Sequence, residues 1–310
     1  MWRAAVATVP VRVRRHRSPI QGIRQIEEVP YHRESCMSDQ LIRVTQPSWR
    51  GRLALMAWCG SLLGLAAWLH LSPRLAAEEL FRTEHPEGDR WQIVSIEGWQ
   101  VAISKRFSDE DRPAIDSTRK VLSAQLKELQ GMGIPEMTLR RLQQVPMWIS
   151  PEYPGIVPRA EYHPSAQWLT DNHRDPIMAR GIEWTNTRII DQEARRMPSM
   201  VLHELAHAYH DQELGYDDPD AIDHFQRAQA GGRYQSVERR DAEGRVKSEA
   251  AYAISNVQEF FAESTESFLG RNDYFPYNRS ELEQFDPATA RWMRKVWTAG
   301  RQAPQSEGQE

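Results

Sequence analysis

His203-Glu204-Leu205-Ala206-His207 sets two imidazoles four residues apart, with a carboxylate beside the first. On a helix these two positions share a face, so both rings can hold one ion while Glu204 reaches a water beside it. That is hydrolytic chemistry: a divalent ion acidifies water, and a carboxylate takes its proton as the water attacks a carbonyl. Cys36 and Cys59 are the only cysteines, and both precede the acidic part of the chain. A metal site in that part must therefore be built from His, Asp and Glu.

Zinc needs a third protein ligand besides two His. A metzincin would continue with glycine at position 210 and histidine at 213, where this chain has His210 and Glu213. An aspzincin-type Gly-Thr-x-x-Asp stretch is also missing. There remains Asn256-Val257-Gln258-Glu259-Phe260-Phe261-Ala262-Glu263, in which Glu259 and Glu263 stand one helical turn apart on one face. One of these carboxylates can ligate while the other supports. An exposed acidic stripe that includes Glu266 is the alternative, but Phe260 and Phe261 argue for burial, and a buried carboxylate needs a metal or a donor.

The motif at 203–207 and the block from Tyr252 to Glu263 together resemble the gluzincin metallopeptidases, and among them the peptidase domain of the anthrax toxin lethal factor family. The resemblance implies a zincin-like α+β fold: a mixed sheet, an active-site helix and a mostly helical C-terminal subdomain. It implies one Zn²⁺ ion held by His203, His207 and Glu259, with Glu263 buttressing a zinc-bound His. Glu204 would be the general base. Tyr252, seven residues before Glu259, would stabilise the oxyanion or protonate the leaving group. The implied partner is a peptide or protein substrate, with no nucleic acid. The likeness rests on these two stretches, and no toxin-like delivery module accompanies them. Two other readings stay open: a catalytically silent zincin-fold binding module tethered to the membrane, and a zinc amidase acting on cell-wall peptides.

Weaker candidates surround this constellation. His163, in Ala160-Glu161-Tyr162-His163, falls in what could be the strand that lines a zincin cleft and pairs with an extended substrate. His210 is displaced around the helix from the His203 and His207 pair, which points to a supporting or solvated position.

The elements that must position these residues can be read from periodicity and turn chemistry. Trp91–Ile96 and Trp99–Ser104, joined by Glu97-Gly98, form a hairpin signal. Ser108 ahead of Asp109, Glu110 and Asp111 opens a helix that runs to Gly131. Leu139 and Leu142 suggest a short helix, 145–149 a strand, and 181–191 another. The motif helix is expected from Pro198 to Asp211. The polar, Asp- and Gly-rich stretch 215–246 shows no steady period and is expected to be a surface excursion. A helix from near Ser255 to Gly270 and another over 287–297 complete the pattern, giving a peptidase domain over 91–300 and a polar tail over 301–310.

The chain has 310 residues, 40% of them apolar and 26% charged, with two cysteines. These values exclude a disulfide miniprotein, a disordered polymer and a multi-span membrane protein. Charge is divided unevenly: up to Ala77 there are 11 Arg, no Lys and 4 acids, whereas from Glu78 on there are 28 basic and 39 acidic residues. Leu53–Leu71 carries no Asp, Glu, Lys or Arg and follows Arg50 and Arg52. As a helix it would reach roughly 28 Å, about one hydrocarbon core. It is expected to be a membrane anchor with the N-terminus in the cytoplasm, or the core of a signal peptide, which places the acidic part outside the cytoplasm. The basic segment 1–52 is expected to be disordered or an over-extended start, and 72–90 a linker.

Overall fold

The structure is a computed structural model that describes residues 90–298. The basic segment, Leu53–Leu71, nearly all of the linker and the polar tail lie outside the described residues. Among the described residues, no helix is long and apolar enough to cross a membrane.

The architecture is mixed α+β. Strands β1 (Trp91–Ile96), β2 (Trp99–Ser104), β3 (Met147–Ile149), β4 (Ala160–His163) and β5 (Gly181–Trp184) form one sheet in the order β1-β2-β3-β5-β4. The β1/β2 and β4/β5 pairs are antiparallel, and the two central pairs are parallel. The hairpin turn falls where it was expected, with Glu97 and Gly98 both at positive φ, as the twist of a two-residue turn requires. Between β2 and β3 run α1 (Arg112–Gln130) and α2 (Glu136–Leu142). Ser108 opens a 3₁₀ turn, Asp109–Asp111, that leads into α1: its N–H donates to the Asp111 carboxylate at 2.9 Å, ahead of three acidic residues that suit the positive end of a helix.

Alternation along the strands gives the sheet two different faces. Val101, Ile103, Met147, Ile149, Tyr162, Ile182 and Trp184 face the main core, which they share with α1 and the motif helix. On the opposite face Ala102 and Trp148 pack with Leu169 of α3 (Ala166–Asp171) and with Met178. Glu161, His163 and Glu183 belong to this second face by register.

Three expected elements come out differently. The expected strand over 181–191 stops at Trp184. Asn186 leaves the extended region, a 3₁₀ turn covers Thr187–Ile189, and α4 (Ile190–Arg196) follows. Ile190 is buried as a helical residue while Ile189 is exposed; so short an apolar run cannot separate helix from strand by period alone. The motif helix α5 (Met200–Tyr209) starts two residues after Pro198 and passes into a π-helical turn, His210–Leu214.

The stretch 215–246 is not a bare excursion. Asp218 caps α6 (Pro219–Gly231) by accepting from the Ala221 N–H at 2.9 Å, and Pro219 occupies its first turn. Ala221, Phe225 and Ala228 supply the inward stripe, with Phe225 edge-on to Phe260 at 6.0 Å. A hairpin of β6 (Val237–Arg240) and β7 (Val246–Glu249) follows.

The C-terminal helices are α7 (Val257–Leu269), α8 (Arg279–Phe285) and α9 (Pro287–Thr298). An aromatic cluster joins them to α5: Tyr209 lies 4.6 Å from Trp297, and Phe261 lies 5.6 Å from Trp292. The Trp297 indole N–H donates to Thr265 Oγ1 at 3.1 Å, so this wholly buried ring keeps a polar partner. The end of α7 meets the start of α5 at Gly270, where a Cβ would lie 2.5 Å from Ser199 Oγ. That close approach lets the Arg271 N–H donate to Ser199 Oγ at 2.8 Å, which fixes the two helices beside each other.

Candidate metal centre

Helix α5 is buried almost all round, and only its His207 side chain reaches intermediate exposure. His203 and His207, one turn apart, point toward the first turn of α7. Asn256 caps α7 by accepting from the Glu259 N–H at 2.8 Å, which sets Glu259 at the helix start opposite the two rings. His203 Nε2 lies 3.1 Å from His207 Nε2 and 3.2 Å from Glu259 Oε2, and His207 Nε2 lies 3.5 Å from the same oxygen. Donor atoms about 2.0–2.1 Å from a tetrahedral ion stand roughly 3.3–3.4 Å apart. The triangle has these dimensions, so the His203, His207 and Glu259 cluster could hold a metal ion.

The protonation pattern agrees with that fit. His203 Nδ1 lies 2.6 Å from Glu266 Oε1 and donates to it, which in the neutral ring leaves the Nε2 lone pair facing the triangle. Without a metal, burial disfavours the His203 imidazolium, but the hydrogen bonds to Glu259 and Glu266 outweigh burial and hold its pKa well above the ordinary value. Burial likewise opposes ionisation of Glu259, yet the charges and hydrogen bonds of His207 and His203 hold it well below the usual carboxylate range. A cation at the triangle would take the place of that proton.

Glu204 is buried, and its Oε2 accepts from the Tyr162 backbone N–H at 2.9 Å. This N–H lies on the side of β4 away from β5, where no further strand pairs among the described residues, so the motif carboxylate is tied to an edge of the sheet. The Tyr162 side chain continues on the core face, donating from its hydroxyl to Asp211 Oδ2 at 2.6 Å and accepting from Gln212 Nε2 at 3.0 Å. Tyr252 is also brought in: its hydroxyl donates to Glu259 Oε1 at 3.0 Å.

The expected support for His203 is shared, and His163 stands elsewhere. Glu263 is buried beside His203, with Oε1 3.9 Å from its Nδ1, while the shorter contact belongs to Glu266, a turn further along α7 and fully buried. Glu259, Glu263 and Glu266 follow the i, i+4, i+7 spacing of one helical face, the signal that could have singled out Glu266. His163 is not at the cluster. It lies on the far face of the sheet, 3.1 Å from Glu183 Oε2 and stacked on Trp168 at 5.6 Å. There Glu183 also accepts from the Tyr153 hydroxyl at 2.8 Å, and Arg174 lies 2.6 Å from Glu161 and 3.3 Å from Glu183. The network holds Glu183 below its ordinary pKa: burial opposes ionisation, but hydrogen bonding and charge from His163 prevail.

His210 is buried rather than solvated. Its ring meets Tyr216 edge-on at 5.2 Å and Phe261 at 4.8 Å, and neither ring nitrogen has a hydrogen-bond partner among the described residues. Burial, reinforced by the charge of His207, pushes its pKa from 6.5 down to about 3. Below 6.5 the unfolded chain binds a proton that folded His210 refuses, so stability should fall by about 1.4 kcal/mol per pH unit until the folded pKa is reached. Urea unfolding at about pH 7 and about pH 5 should show the parent losing roughly 2 kcal/mol more than His210→Phe over this interval. Equal losses would mean that His210 is not the group responsible.

Compared with known proteins, the chain matches no protein-family model, no curated protein and no solved structure.

Proposed function

We propose that the protein is a zinc-dependent peptidase of zincin-like fold, acting outside the cytoplasm. The observation that carries this reading is the triangle of His203 Nε2, His207 Nε2 and Glu259 Oε2, with edges of 3.1 to 3.5 Å, beside a carboxylate in the His-Glu-x-x-His order. A zinc ion bound there would supply Lewis acidity and a water acidic enough to deprotonate near neutral pH. Glu204 would accept that proton and later pass it to the leaving amine. Its Oε2 stays on the Tyr162 N–H, which fixes the carboxylate against the edge strand β4. The choice of a peptide as substrate follows the resemblance of the 203–207 motif and the 252–263 block to the gluzincin metallopeptidases. The uncharged run Leu53–Leu71 behind Arg50 and Arg52 supports export, with the run as anchor if it is uncleaved.

Elemental analysis of the full-length chain beside Glu259→Gln tests the metal assignment. The expected result is about one zinc per parent chain and a large loss in the variant, because a carboxamide oxygen is a much poorer zinc ligand than a carboxylate. A parent without zinc after metal-replete purification would sink the proposal. Zinc retained in full by the variant would move the third ligand away from Glu259.

A further inference from the structure

We propose that Tyr252 is a positioning residue of the metal centre: its hydroxyl occupies Glu259 Oε1 and thereby leaves Oε2 as the only Glu259 donor atom facing His203 and His207. The inference rests on the metal-site reading above and changes the role that the resemblance implies for this tyrosine. The two Glu259 oxygens are already divided. Oε2 lies 3.2 and 3.5 Å from the two imidazole nitrogens, while Oε1 accepts the phenol proton at 3.0 Å. A carboxylate oxygen engaged by a hydrogen-bond donor is a weaker second ligand, so the bond favours one-oxygen ligation and keeps a coordination position for water.

The backbone around Tyr252 fixes this arrangement. The residue opens a 3₁₀ turn, Tyr252–Ile254, directly before α7, and Ala251 and Ala253 on either side are buried. The Ala251 N–H donates to the Tyr234 carbonyl at 2.8 Å, and the Tyr252 carbonyl accepts from Ser255 at 3.0 Å. Asn256 then caps the helix on Glu259 itself. Tyrosine and ligand are thus held at a set separation by one continuous stretch of backbone, whether or not a substrate is present.

Tyr252→Phe in the full-length chain removes the hydroxyl and keeps the ring. Zinc affinity, measured by chelator competition, should fall by roughly 10- to 100-fold, the usual effect of losing a group that orients a ligand. The visible absorption of the cobalt(II)-substituted protein should change in the same variant, because Oε1 becomes free to approach the ion. Unchanged affinity with an unchanged cobalt spectrum would overturn the inference and return Tyr252 to a role on the substrate. A thermal melt shows whether the variant is folded. Should it not fold, a crystal structure of the zinc-loaded parent decides: Tyr252 Oη on Glu259 Oε1 supports the inference, and both carboxylate oxygens on the ion overturns it. A parent that takes up neither zinc nor cobalt removes the metal site itself, an outcome distinct from loss of the Tyr252 role alone.

Discussion

Exchanging Glu204 for glutamine is expected to lower peptide hydrolysis by about 10²- to 10⁴-fold while leaving metal content unchanged. The substitution keeps the side chain's size, and its carbonyl oxygen can still accept from the Tyr162 N–H that holds Glu204 at 2.9 Å. What it removes is the lone pair that takes a proton from water near neutral pH. Glu204 contributes no atom to the triangle of His203, His207 and Glu259, so the ion should stay. Activity on a mixed peptide library and zinc content should be measured on the same samples. Full activity in the variant would exclude Glu204 as the base, whereas joint loss of zinc and activity would make it a structural residue.

Arg174→Met is expected to cost about 3–5 kcal/mol of unfolding free energy, the usual penalty for removing one partner from a buried ion pair. Arg174 and Glu183 are both almost completely shielded, and they meet on the sheet face away from the cluster of His203, His207 and Glu259. The aliphatic part of the arginine would be replaced by a side chain of similar length, so the loss measures charge and hydrogen bonding more than volume. A second substitution, Glu183→Leu, should recover part of the loss, because it removes the carboxylate left without its guanidinium. Urea unfolding of the two single variants and the double variant gives the coupling directly. A cost below about 1 kcal/mol for Arg174→Met would mean that Tyr153 and His163 alone satisfy Glu183.

How far the site could be read in advance depended on whether its residues are local in sequence. His203, Glu204 and His207 sit within five positions, so helical spacing is enough to group them, whereas Tyr252 and the choice of Glu259 as ligand rest on the resemblance to the gluzincins. Glu266 is not legible as a partner of His203, because three carboxylates at helical spacing usually mark a solvated face; its burial depends on Phe260, Phe261 and Phe268 packing in the core. The Tyr162 N–H was not legible at all, since a backbone donor has no residue-type signature and reaches Glu204 only once β4 is placed at the edge. The strand around His163 is legible but its face is not, because four residues of strand do not show which alternate set looks inward.

The same limit applies to the fold. The hairpin at 91–104 and the helices starting at Ser108 and Asn256 carry strong turn or cap chemistry and stand where expected. Helix α6 carries no clear period in the sequence, because its inward stripe is made of Ala221, Phe225 and Ala228, two of them too small to register as apolar periodicity.

The bond between Glu204 and the Tyr162 N–H also bears on self-association. A sheet edge with unpaired backbone groups is a template on which a second copy can stack strand against strand, and proteins protect such edges with charge, with shortness or with a cover. Strand β4 has four residues, carries Glu161 beside Tyr162, and has its outward N–H already taken by a buried carboxylate. Growth of an aggregate along this edge would first have to displace Glu204, so the residue proposed for proton transfer also closes this edge of the sheet against polymerisation.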